Sequence, residues 1–153
     1  MKKKHFKIIA QNKKANYDYF INEKYEAGIS LYGTEVKSIR LGKINLKDSY
    51  VSFKTGEALI IGMHISPYEK GNIWVVDPRR IRKLLLNKKE INSIIGKTTK
   101  TGFSVIPLKI YFSGAYIKLE IGLCIGKKKY DKRHVIAERE AKIRINRALS
   151  FKE

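Results

Sequence analysis

Acidic side chains are scarce in this sequence: 14 Asp and Glu stand against 33 Lys and Arg, a formal net charge of +19. Cysteine is scarcer still, and the single Cys124 excludes an internal disulfide and fits a reducing compartment. Three prolines and eleven glycines among 153 residues exclude a collagen-like or low-complexity chain. No apolar run approaches the roughly 20 residues that span a bilayer. The opening Met1-Lys2-Lys3-Lys4-His5 lacks the apolar stretch of a signal peptide. These absences predict a cytoplasmic protein without a membrane partner.

Catalytic groupings are missing as well. His5, His64 and His134 lie far apart, and no paired carboxylates or Cys/His clusters stand at metal-ligand spacing. Gly122 to Lys128 has the glycines and lysine of a phosphate-binding loop, but only three residues separate Gly122 from Gly126, and Lys128 stands where Ser or Thr is required. Cys124 falls in a strand pattern and reads as a buried structural thiol, and His64 as a structural histidine. The expectation is a protein that is not an enzyme and carries no metal or cofactor.

What the sequence does have is clustered positive charge. From Gly126 to Glu153 ten basic residues face four acidic ones, opening with Gly126-Lys127-Lys128-Lys129-Tyr130-Asp131-Lys132-Arg133. A second knot, Arg79-Arg80-Ile81-Arg82-Lys83, runs into Leu84-Leu85-Leu86. Cations gathered on a surface release counterions when they meet phosphates, so the partner class is a polyanion, RNA or DNA first.

Lys7 to Ala10 and Tyr17 to Ile21 carry the β-branched and aromatic residues of strands, with Asn12-Lys13-Lys14 as the turn between them. Glu26 to Tyr32 alternates apolar with small or polar residues and reads as another strand. In Thr34 to Leu41, Val36, Ile39 and Leu41 suit one helical face, and Gly42 sits where a helix-ending glycine belongs. Ser49 to Phe53 and Glu57 to Met63 form a hairpin across Thr55-Gly56. Asn87 to Thr101 has helical spacing through Ile91, Ile94 and Ile95, ended by Gly102. Phe103 to Phe112 and Tyr116 to Ile125 alternate at period two across Ser113-Gly114-Ala115, a second hairpin. About six antiparallel strands leave sheet edges that closure removes. The predicted fold is therefore mainly β, an antiparallel barrel of about six strands with flanking short helices. After Ile125 the alternation stops, and Val135, Ile136, Ile143, Ile145 and Leu149 are too few to build a core. Residues 1–126 read as an RNA-binding barrel domain, and 127–153 as a basic tail, disordered when free and helical on a partner.

Several strings resemble one family, SmpB, the SsrA-binding protein of bacterial trans-translation. They are Gly33-Thr34-Glu35-Val36-Lys37-Ser38, Asp48-Ser49-Tyr50, Asp77-Pro78 followed by Arg82-Lys83-Leu84-Leu85-Leu86-Asn87, and Gly126-Lys127-Lys128 with Asp131-Lys132-Arg133. Asn12-Lys13-Lys14-Ala15 ahead of Tyr19-Phe20-Ile21 extends the likeness to the first strands. Val75-Val76 departs from the Asn-His pair that many members carry there. The resemblance implies an OB-like barrel and an adaptor that binds the tRNA-like domain of transfer-messenger RNA. It also implies delivery of that RNA to ribosomes stalled without a stop codon, with the aminoacyl-tRNA elongation factor joining through the RNA. The implied RNA-binding residues are Asn12, Lys13, Glu26, Lys37, Arg40, Lys83, Leu85, Asn87, Lys127 and Lys128. Tyr130, Asp131, Lys132 and Arg133 are implied to meet the small-subunit decoding centre, with the tail in the messenger channel.

The chemistry of these positions has its own readings. Lysine and arginine position phosphates, whereas Asn87 and Glu26 can bond to base edges or ribose hydroxyls. From the residues alone Glu26 is a capped strand end or a lysine's ion-pair partner. The resemblance makes it an RNA contact. Leu85 is either a core leucine or an apolar platform for an unstacked base, and Trp74 is either core or rim. Tyr130, in a segment with nothing to pack against, suits base stacking. A ribosomal protein or initiation-factor-like OB-fold barrel shares this composition and is the alternative reading.

Overall fold

The computed structural model describes residues 6–68, 76–99, 102–127 and 139–145. The elements are, in chain order, β1 (Phe6–Gln11), α1 (Lys13–Asp18), β2 (Tyr19–Ile29), α2 (Gly33–Arg40), β3 (Ile44–Asn45) and β4 (Tyr50–Ser52). They continue with β5 (Leu59–Ile61), β6 (His64–Ile65), β7 (Arg82–Leu85), α3 (Lys88–Thr98), β8 (Phe103–Ser113) and β9 (Tyr116–Gly126). Residues 139–145 are helical and exposed.

Six strands close into a ring in the order β8-β4-β5-β7-β2-β9, with β9 returning to β8 and every pairing antiparallel. This is the expected barrel. β8 is long enough, about 36 Å at ~3.3 Å per residue, to serve two neighbours besides β9. Its first half meets β4 at Val51↔Val105, and its second half carries β1 in a pairing from Phe6↔Ser113 to Gln11↔Lys109. β3 and β6 form a small separate ladder.

Period-two alternation fills the interior. Ala27, Ile60, Leu84, Ile110, Leu119, Ile121 and Leu123 all point inward and are buried. Each such Leu or Ile contributes about 1.5–3 kcal/mol through removal from water. Ile39 of α2 and Ile94 of α3 extend the same cluster. Lys97 Nζ ties α3 to β2 through Glu23, 2.5 Å away. Cys124 is buried, as its strand position suggested, and burial pushes its thiol up to about 11. Among the described residues no helix is long and apolar enough to cross a membrane.

Three expectations are corrected. Asn12-Lys13-Lys14 is not a simple turn, because Lys13–Asp18 is helical and takes in Tyr17 and Asp18. Asn12 still performs the reversal: its N–H donates to Leu108 O at 2.7 Å and its Nδ2 to Pro107 O at 3.1 Å. Those two carbonyls lie where β8 shifts register, a place that suits a proline without an N–H. The separate strands expected over 17–21 and 26–32 are one, β2, kept continuous by a bulge between Ile21 and Glu23.

The third correction concerns the basic knot at 79–83. Arg82 opens β7 and is fully buried, 0% exposed, so it is no surface phosphate ligand. Its Nε donates to Glu35 Oε2 at 2.5 Å, and its terminal nitrogens donate to Met63 O, Arg80 O and Pro78 O at 2.9, 3.0 and 3.1 Å. Arg80 reaches the other Glu35 oxygen at 2.6 Å and stacks over the Tyr32 ring at 4.4 Å. Burial raises the Glu35 carboxyl pKa, and the hydrogen bonds from the Tyr32 N–H, Arg80 and Arg82 outweigh it, leaving the group below its ordinary value. A buried guanidinium with one carboxylate and three carbonyl acceptors is satisfied, which is the condition for keeping a charge in a core. This clamp fixes α2 against β7, and both elements present candidate RNA contacts.

Candidate nucleic-acid interface

Inward Arg82 and Leu84 leave Lys83 and Leu85 facing out of β7. Antiparallel pairing then carries that outward face across the barrel wall. Gly28 of β2 lies opposite both Leu85 and Lys118, Glu26 lies opposite Glu120, and β9 continues to β8 through Tyr111↔Lys118 and Lys109↔Glu120. The outward row is therefore Lys83, Leu85, Gly28, Glu26, Lys118, Glu120, Tyr111 and Lys109. A Cβ on Gly28 would stand 3.2 Å from Leu85 Cβ, so glycine there lets β7 approach closely.

Most of the expected RNA contacts converge on this face. Leu85 is 57% exposed, which resolves its two readings in favour of surface. It shares a groove of about 390 Å³ with Arg40, Val36, Tyr116 and Lys118. On its other side a groove of about 370 Å³ brings Leu85 together with Lys83, Asn87 and Lys88. Asn87 is the N-terminal cap position of α3, where its carbonyl accepts from the Ile91 N–H at 3.0 Å and its side chain makes no capping bond. Lys83 pairs with Glu57 at 3.3 Å, but both are half-exposed and such a pair is worth little. Past Glu120, Asn12 and Lys13 line a third groove of about 350 Å³ with Lys24, Lys109 and Arg139.

Two residues stand apart. Lys127 lies at the opposite end of β2 from Leu85, about 30 Å away at ~3.3 Å per residue. There its Nζ donates to Asn16 O at 2.8 Å and sits 4.8 Å from the centre of the exposed Phe20 ring. Lys37 is one turn before Arg40 on α2, with its Nζ 5.5 Å from the Tyr68 ring. Lys128, Tyr130, Asp131, Lys132 and Arg133 lie outside the described residues, as do Trp74 and Val75.

Glu26 is the exception on a basic face. It stands directly opposite Glu120, an arrangement that costs energy unless both charges are compensated. Glu120 is compensated by lysines, Lys109 at 3.1 Å and Lys24 at 3.7 Å. Glu26 has no ion-pair partner among the described residues and instead accepts a hydrogen bond from the Tyr111 hydroxyl. It is neither a strand cap nor a lysine's partner, since β2 runs on to Ile29.

Sequence reasoning passed over Lys24, Lys109, Tyr116 and Lys118, which share this face. The alternation of β9, with Leu119 and Ile121 inward, was the signal that put Lys118 and Glu120 outward. Chemically the face offers lysine and arginine for phosphates, an apolar rim at Leu85 and Tyr116 for an unstacked base, and one exposed carboxylate for an amine or ribose hydroxyl. Among the described residues no cluster of three or more His, Cys, Asp or Glu side chains forms a metal site.

Comparison with known proteins gives consistent matches. Residues 9–151 match the family model described as SmpB protein. The chain is 56% identical over 153 residues to the SsrA-binding protein of Thermoanaerobacter pseudethanolicus, covering 100% of this chain and 97% of that protein. It is 56% identical over 142 residues to the SsrA-binding protein of Bacillus cytotoxicus, covering 93% and 92%. A solved structure described as "tmRNA-SmpB: a journey to the center of the bacterial ribosome" contains a chain 49% identical to this one. The two superpose with a TM-score of 0.66 over 78% of this chain and 85% of that one.

Proposed function

The chain belongs to the SmpB family, and from that premise we propose that it binds the tRNA-like domain of transfer-messenger RNA through the outward face of β7, β2, β9 and β8. It then delivers that RNA to stalled ribosomes for trans-translation. The observation that carries the reading is the convergence of Arg40, Lys83, Leu85, Asn87 and Glu26 on one wall, bordered by Asn12 and Lys13. Lys13, Arg40 and Lys83 position the phosphate backbone, while Asn87, Glu26 and Leu85 supply contacts that a featureless polyanion would not reward. Lys37 and Lys127 extend the phosphate track along α2 and toward the start of the tail.

In this reading the protein is a cytoplasmic adaptor and performs no chemistry on the RNA. The tail, 127–153, lies in the empty messenger channel of the small subunit, with Lys128 on the RNA and Tyr130, Asp131, Lys132 and Arg133 at the decoding centre. The elongation factor that carries aminoacylated RNA joins through the RNA. The names of the relatives and of the matched structure, which speak of SsrA, tmRNA and the ribosome, support this assignment.

The test is a titration of the full chain against the tRNA-like domain, with an elongator tRNA as competitor, at two salt concentrations. Tight binding that resists the competitor and persists at the higher salt is expected. Weak binding that vanishes with salt and prefers neither RNA would mean that the cations act only as a polyanion sink, and would favour a ribosomal-protein role.

A further inference from the structure

Tyr111 is a large polar side chain held against the outward face, and nothing in the recognition scheme above uses it. It lies on β8, opposite Lys118 of β9, while Glu26 lies on β2, opposite Glu120 of β9. The two residues are thus two strand spacings apart and staggered by two residues, about 12 Å between backbones at ~4.8 Å per strand and ~3.3 Å per residue, and their side chains meet above β9. The tyrosine is only 6% exposed, with its hydroxyl donating to Glu26 Oε2. Its ring is further fixed by Lys109, whose Nζ lies 5.8 Å from the ring centre. Glu26 itself is exposed.

A glutamate on an exposed strand has three side-chain torsions and no preferred direction, so fixing it on binding costs entropy. A donor already attached to one oxygen removes that cost before the ligand arrives and leaves the second oxygen's lone pairs pointing outward. We propose that Tyr111 is a positioning residue for RNA recognition: its hydroxyl holds the Glu26 carboxylate in one orientation so that Oε1 accepts a hydrogen bond from an exocyclic amine or a ribose hydroxyl. The proposal rests on the reading that Glu26 contacts the RNA. A neutral donor suits this task better than a lysine, because it orients the carboxylate without cancelling its charge. Glu120, one strand away, shows the opposite case, a carboxylate already engaged by Lys24 and Lys109. Burial and the bond to Glu26 both raise the Tyr111 hydroxyl's pKa, so the proton stays in place as the donor through the neutral range.

The experiment is a double-mutant cycle on the full chain with Tyr111→Phe, Glu26→Ala and the pair. It reads the dissociation constant for the tRNA-like domain, with the urea midpoint as a check of folding. Tyr111→Phe is expected to weaken binding about threefold to tenfold, the range of one hydrogen bond. The same change in the Glu26→Ala background is expected to have no further effect. A merely structural tyrosine would shift the urea midpoint and weaken binding equally in both backgrounds, and that result overturns the proposal. So does unchanged binding by Tyr111→Phe when Glu26→Ala is impaired. If Glu26→Ala itself binds like the parent, the reading of Glu26 as an RNA contact fails, and the proposal falls with it. Glu26→Asp gives a second route that leaves Tyr111 intact. It keeps the charge but draws it back from the Tyr111 hydroxyl, and weakened binding that Tyr111→Phe does not worsen is the expected result.

Discussion

Replacing Arg82 by methionine keeps most of the side-chain volume and removes the charge from the core, so it isolates the electrostatic clamp from cavity effects. Four hydrogen bonds disappear: one to Glu35 and one each to the carbonyls of Met63, Arg80 and Pro78. Glu35, 4% exposed, then keeps Arg80 and the Tyr32 N–H but loses its buried partner. Breaking a buried pair from one side costs about 3–5 kcal/mol. With a urea dependence of about 2 kcal/mol per molar, the unfolding midpoint should fall by about 2 M. Glu35→Leu should cost a similar amount, because it strands the Arg82 guanidinium. The double variant should cost far less than the sum, roughly 4–5 kcal/mol instead of about 8, since what remains is three carbonyls without donors at about 1 kcal/mol each plus repacking. Urea unfolding followed by circular dichroism measures all three. Strict additivity, or single variants whose midpoints stay within about 0.3 M of the parent, would refute the clamp.

Other outcomes follow from single features. The depressed Glu35 pKa gives a stability contribution that is complete above the ordinary carboxylate value of 4.5 and is lost as pH falls below it through the lower folded-state value, so Glu35→Gln should flatten the acid limb of a plot of urea midpoint against pH. Gly62→Ala should cost about 2–4 kcal/mol and lower Tm by several degrees in a thermal melt. Gly62 sits at φ +86° with any Cβ 2.9 Å from the Asp48 carbonyl oxygen. Lys118→Ala, on the outward face beside Gly28, should weaken RNA binding across sequences and reduce the slope of log K against log salt by about one in filter-binding titrations. Removing the residues after Tyr130 should spare affinity for the tRNA-like domain yet abolish delivery in a stalled-ribosome tagging assay.

The parts of the fold legible in the sequence are those where burial follows the local period. The expected limits of β8 and β9 fall within a residue of the observed strands, and inward and outward residues take turns along Lys118, Leu119, Glu120 and Ile121. α2 and α3 follow from Ile39, Ile94 and a glycine after each, Gly42 at φ +74° and Gly102 at φ +92°. β7 was hidden because its pattern is inverted in chemistry: an arginine fills a core slot and a leucine an outward one, so a cationic knot masked an alternating strand. β2 reads as two pieces in the sequence because Glu23, Lys24 and Glu26 interrupt its apolar residues, and a bulge between Ile21 and Glu23 breaks the period. α1 escaped because it is six residues long with one buried side chain, Ala15, and so has no apolar stripe to show. At the candidate site the contiguous strings were legible, whereas Lys24, Lys109 and Lys118 sit singly on three strands and become a surface only through strand pairing. Tyr111 and Glu26, 85 positions apart, met only through the register.

Backbone amide shifts of the isotope-labelled full chain, titrated with the tRNA-like domain RNA, test the central claim most directly. Shifts should concentrate on Lys83, Leu85, Gly28, Glu26, Lys118 and Glu120, the outward row that strand pairing assembles. Tyr50 to Ser52 and Ser104, at the seam between β4 and β8, should stay unmoved. Shifts gathered at that seam, with the β7-β2-β9-β8 face unchanged, would contradict the account.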